Sequence, residues 1–155
     1  MPIFFRMIAG DIRNAQNQEG EEKQMKEVIC CIGGKEQGFL LNDRLADLMI
    51  QTYKAIRLSR RAQVGKHGDT GQAIHISPMF VYVFEEVLDL KGFTGTWQEV
   101  FMSFPIPERK ILYAIFREGK TLETISCQLN ESPSRLNKTI RKFIDVLDSK
   151  VRGKI

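Results

Sequence analysis

The sequence predicts a mainly α-helical fold with a small β element, an α+β arrangement in which a mixed N-terminal region precedes a C-terminal bundle of helices. Two observations carry this. Beyond residue 108, apolar side chains recur at helical spacing in three successive segments. Earlier in the chain, Val28-Ile-Cys-Cys-Ile32 is a short continuous apolar run closed by Gly33-Gly34, the pattern of a buried strand entering a turn.

The N-terminal elements follow in order. Met1 to Ala9 is apolar but short and lacks a basic start, so it is expected to be a strand or arm packed on the core rather than a signal peptide. Asp11 to Lys26 is strongly polar and reads as a loop or an exposed helix. Gly38-Phe-Leu-Leu41 can pair with the first strand across the Gly33-Gly34 turn. Asn42 or Asp43 then caps a helix with Leu45, Leu48, Met49, Tyr53 and Ile56 on one face. That helix runs into Arg57-Leu-Ser-Arg-Arg61, cations that suit a helix C-terminus. Residues 62–76 hold three glycines and predict a loop.

Ser77-Pro78 opens the next helix, Met79 to Leu90, which is apolar on most sides. Such a helix belongs in a central core position or at a seam between two copies. Thr96-Trp-Gln-Glu99 has the spacing of a capping box for a brief helix to Met102. Pro105 and Pro107 mark a hinge, which divides the chain into a dimerisation or partner-binding region, 1–103, and a helical domain, 104–155.

Within 104–155 each boundary has a physical marker. The first helix runs from Glu108 with Ile111, Leu112, Ile115 and Phe116 on one face, and ends at Gly119, able to take the left-handed conformation. Thr121 can cap the second, whose stripe is Leu122, Ile125 and Leu129. Ser132 can cap the third, with Pro133 at its first position, where a missing N–H costs nothing. Leu136, Ile140, Phe143, Ile144 and Leu147 face inward, so three helices can share a small core. Ser134, Arg135, Asn137, Lys138 and Arg141 then fall on the outward side, with Lys142 further along. Arginine and lysine suit guanine edges or phosphates, and asparagine suits adenine.

Charge follows the same division. The chain carries +4. Residues 131–155 hold seven basic and three acidic side chains, so the whole excess sits on the third helix and tail. A phosphate-binding surface leaves such a footprint.

The run from Phe104 through Leu136, Phe-Pro-Ile-Pro-Glu-Arg-Lys to Asn-Glu-Ser-Pro-Ser-Arg-Leu, resembles the C-terminal DNA-binding domain of bacterial sigma factors (region 4) and of LuxR-type regulators. Ile125, Leu129, Ser132 and Leu136 fall on the matching positions, while Ser126 replaces a usual alanine and Asn130-Glu131 a usual Gly-apolar turn. The resemblance implies a helix-turn-helix transcription regulator of bacterial or mobile-element type. It would read duplex DNA with the helix that starts at Pro133, through Ser134, Arg135, Asn137, Lys138, Arg141 and Lys142. It also implies a homodimer on paired half-sites, and the odd cysteine count and lack of a signal peptide or membrane span predict a cytoplasmic location. The alternative is a sigma-like interaction protein that binds RNA polymerase or another regulator without DNA specificity of its own.

Other chemistry is thinner. Three cysteines, an odd number, suit a reducing compartment and read as buried small apolar residues. His67, Asp69 and His75 cluster on the glycine-rich loop but have no second cluster to complete a metal or catalytic site. No enzyme activity, metal or cofactor is expected, and no apolar run approaches a membrane span. Lys54, Arg57, Arg60, Arg61 and Lys66 form a second basic stretch, open to flanking DNA, an acidic partner or water.

Overall fold

Gly33 and Gly34 take φ of 61° and 88°, the positive values that a two-residue hairpin turn of the primed type needs. They join strand β1 (Met25–Ile32) to β2 (Lys35–Asn42) in antiparallel register, with Val28 opposite Phe39 and Ile32 opposite Lys35. The computed structural model describes residues 24–59 and 73–153. The remaining elements among them are α1 (Asp43–Ser59), β3 (Ile74–His75), α2 (Pro78–Leu90), α3 (Thr96–Met102), α4 (Ile106–Phe116), α5 (Leu122–Leu129) and α6 (Pro133–Gly153). The chain is therefore mainly helical with a small three-stranded sheet of order β2-β1-β3. The Met1 arm, most of the polar stretch and the centre of the glycine-rich loop lie outside the described residues, as do Arg60, Arg61, Lys66, His67 and Asp69.

The expected hairpin forms, extended at both ends. Val28, Cys30 and Ile32 face the core with Phe39 and Leu41, while Ile29 and Leu40 face outward. The end of the glycine-rich segment, read as loop, supplies a strand: Ile74 and His75 pair parallel with Cys30 and Cys31. His75 is thereby fixed on the sheet. Asn42 caps α1, its Oδ1 accepting from the Leu45 N–H at 3.1 Å. Ser77 caps α2, with Pro78 in its first turn, as their spacing predicts.

Two expectations need correction. Thr96 is no cap: it lies inside α3, fully buried, and Gly95 at φ 76° takes the capping position without any side-chain bond. A positive φ turns the chain into the helix there, and the threonine is turned into the core. The cysteines also divide. Cys30 is buried, and burial pushes its thiol up to about 12, but Cys31 is half-buried and Cys127 lies exposed on α5.

One core runs through the described residues. Phe80 and Phe84 of α2 lie inside it, and Trp97 of α3 meets Phe84, Phe116 and Phe143 at centroid distances of 6.1, 5.2 and 4.7 Å. Residues on both sides of position 104 thus share one packed centre. α2 buries only part of its apolar surface: Phe80, Val81, Phe84 and Leu88 face the core, while Met79, Tyr82 and Leu90 are exposed. A second link is polar. Asp148 of α6 is buried and accepts from the Asn42 backbone N–H at 3.0 Å and its side-chain amide at 2.5 Å.

Candidate nucleic-acid interface

The last three helices, α4 to α6, follow one another through short turns. The chain leaves α4 through Gly119 at φ 71°. Thr121 caps α5, its Oγ1 accepting from the Thr124 N–H at 3.1 Å. Asn130 closes α5 at φ 56°, the left-handed conformation that asparagine tolerates. Ser126 then does what an alanine could not: its hydroxyl donates to the Glu131 carbonyl at 2.6 Å and ties the turn to α5. Ser132 caps α6, with Oγ accepting from the Arg135 N–H at 3.1 Å. The α6 stripe is buried as expected, Leu136, Ile140, Phe143, Ile144 and Leu147, with Val151 extending it; of the α5 stripe Ile125 is fully buried, while Leu122 and Leu129 are partly buried against the core.

The six residues expected to face DNA are not equivalent. Ser134 and Lys138 are exposed at the centre of the outward face, four residues apart and one turn along the helix, and neither has a side-chain partner among the described residues. Arg141 and Lys142 flank them. Arg141 is exposed, yet its guanidinium donates to the Gly38 carbonyl at 3.0 Å and lies 4.5 Å from the Phe39 ring centroid. Lys142 extends over the Phe104 ring at 5.7 Å. Both cations remain at the surface, where phosphates are within reach of long side chains.

Arg135 and Asn137 are engaged within the chain. Arg135 donates to Glu108 of α4 at 2.9 Å and approaches Glu131 at 3.6 Å. Asn137 accepts from the Gln37 side-chain amide at 3.3 Å. A bidentate contact to adenine needs the asparagine oxygen as well as its amide, and that oxygen already has a donor. Strand β2 therefore lies along one flank of α6, and its turn meets the start of α5, where the Leu122 N–H donates to the Gly33 carbonyl at 3.0 Å. A Cβ on Gly33 would stand 2.8 Å from Leu122, so only glycine fits this approach. Sequence spacing could place Asn137 on the helix but could not show that a distant strand would occupy it.

Arg135 has the geometry of a strut between α4, the turn and α6. Replacing it with alanine is expected to lower stability by about 0.5–1 kcal/mol, the range for partly exposed ion pairs. A urea titration against wild type checks this, and the Glu108→Gln variant should show a similar loss.

In the second basic stretch, Lys54 is exposed on α1 and Arg57 lies over the Tyr53 ring at 5.8 Å. No group of three or more His, Cys, Asp or Glu among the described residues is placed to hold a metal ion. No helix among them is long and apolar enough to cross a membrane. The chain matches no protein-family model, no curated protein and no solved structure.

Proposed function

We propose that the chain is a helix-turn-helix DNA-binding protein, a transcription regulator of bacterial or mobile-element type, with α6 entering the major groove from its Pro133 end. One observation carries this reading. Behind a short turn closed by Asn130, the first three turns of α6 present Ser134, Lys138, Arg141 and Lys142 on one outward face, free of acidic residues until Asp145. Phosphates attract such a row, and the groove admits such a helix. Ser134 and Lys138 are assigned to base edges, and Arg141 and Lys142 to phosphates. Arg135 sets the angle of α6 through Glu108, and a homodimer on paired half-sites completes the proposal.

Selection of bound duplexes from a random pool tests it. A preferred sequence should emerge, and Lys138→Ala should cost about 1–3 kcal/mol on that sequence while relaxing the preference at one position. A pool that shows no enrichment would remove the sequence-reading part of the proposal.

A specific observation favours a second reading. Arg135 and Asn137, the side chains best suited to base recognition, are tied to Glu108 and Gln37. A sigma-like interaction protein, bound to RNA polymerase or another regulator and without base preference, is compatible with that arrangement. Binding to duplex without enrichment would favour it.

A further inference from the structure

α4 and α5 leave a furrow between them that receives no side chain from α6. It is an open groove of about 420 Å³. Its apolar surface comes from Ile106, Tyr113 and Leu129, over a floor that includes the buried Ile125. Ile106 and Tyr113 are 61% and 50% exposed, large side chains with one face in water. They are seven residues apart on α4, about 10 Å along the axis. That is the separation of anchors at i and i+7 on a helix laid into a groove.

The rim is basic. Arg109, Lys110 and Lys120 border the furrow against one acid among the described residues, Glu118. Glu118 is matched by Lys120 at 3.2 Å. Arg109 is turned to the Phe104 carbonyl at 2.8 Å, not to a carboxylate, and Lys110 is exposed with no ion pair among the described residues. An apolar floor under two unmatched cations complements a helix with an apolar stripe and carboxylates along its edges. DNA does not fit, because a polyphosphate has nothing to bury on Ile106 and Tyr113.

We propose that the α4–α5 furrow is a docking site for an acidic amphipathic helix of a partner protein. It is separate from the α6 face and independent of the DNA reading. The partner lays two aliphatic or aromatic side chains over Ile106 and Tyr113 and sets its carboxylates against Arg109 and Lys110.

The test uses the full chain and two synthetic stapled helices, each about four turns long, with the same leucine stripe and flanks of either glutamate or lysine. Fluorescence anisotropy measures affinity, and backbone amide shifts locate the site. The glutamate helix is expected to bind about tenfold tighter than the lysine helix, with shifts confined to α3, α4 and α5. Lys110→Glu should weaken the glutamate helix and strengthen the lysine helix. Tyr113→Ala should weaken both, with the melting curve of each variant unchanged. Equal affinity for the two helices, no binding of either, or shifts centred on α6 would overturn the proposal. So would a change of solution mass in Tyr113→Ala, which would assign the furrow to a second copy of the chain. Weaker duplex DNA binding by Lys110→Glu than by wild type would also overturn it, by assigning the rim to phosphates.

Discussion

Replacing Trp97 with alanine is expected to destabilise the protein by about 3–5 kcal/mol, the cost of truncating a large buried aromatic side chain. Trp97 is 4% exposed and stands among three phenylalanines that come from α2, α4 and α6. Its loss opens a cavity where the two halves of the chain meet, and the edge-to-face contacts with Phe84 and Phe116 go with it. Against a typical total stability of about 5–15 kcal/mol this is a large share. Urea unfolding followed by far-ultraviolet circular dichroism measures it, since the variant lacks the chain's one tryptophan. Trp97→Phe should recover much of the loss. A fragment beginning at Phe104 lacks Trp97 altogether and should form its helices only marginally, being also close to the lower size limit for an unsupported domain.

The second large effect is at Asp148. Its carboxylate accepts from the Asn42 N–H and side-chain amide and pairs with Arg152 at 2.8 Å. Asn42 in turn caps α1, so one acidic side chain holds together the end of the hairpin, the start of α1 and the far part of α6. Asp148→Ala leaves two buried donors of Asn42 without that acceptor and should cost about 3 kcal/mol. Asp148→Asn keeps an oxygen in place and should cost about 1 kcal/mol, having lost only the charge. Equal losses in the two variants would show that the charge, rather than the acceptor, matters at this position.

Legibility in the sequence tracked how local the cause was. The caps at Asn42, Ser77, Thr121 and Ser132 were readable because each acts on a backbone N–H two or three residues away. The stripes of α4 and α6 were readable for the same reason, through periodicity alone. Thr96 misled because Thr-Trp-Gln-Glu fits a capping box, while burial against distant residues decides which way the threonine points. β3 was invisible: two residues have no period, and Ile74 and His75 are strand only because β1 lies beside them. Cys127 is exposed, not a buried small residue, because α5 presents so little inward surface that only Ile125 is fully buried.

The candidate interface divides in the same way. Helix boundaries and the outward side of α6 followed from spacing. The partners of Arg135, Asn137 and Arg141 did not, because Glu108, Gln37 and Gly38 are 27, 100 and 103 residues away in sequence. Nothing near Asp148 in sequence sets it apart from the other acids of residues 131–155. Its burial depends on Asn42, 106 residues earlier, and no window of sequence connects the two.

The proposal that the outward face of α6 binds duplex DNA is tested by the salt dependence of binding. The wild-type chain should bind random duplex with an affinity that falls linearly in log–log form as salt rises. Lys142→Ala and Arg141→Ala should each reduce that slope by about one unit, the change expected for one lost phosphate contact. Lys142→Ala should melt close to wild type, while Arg141→Ala should lose about 0.5–1 kcal/mol with its contacts to Gly38 and Phe39, and slopes are compared where both variants are folded. No binding at low salt, or slopes identical in wild type and both variants, would contradict the proposal.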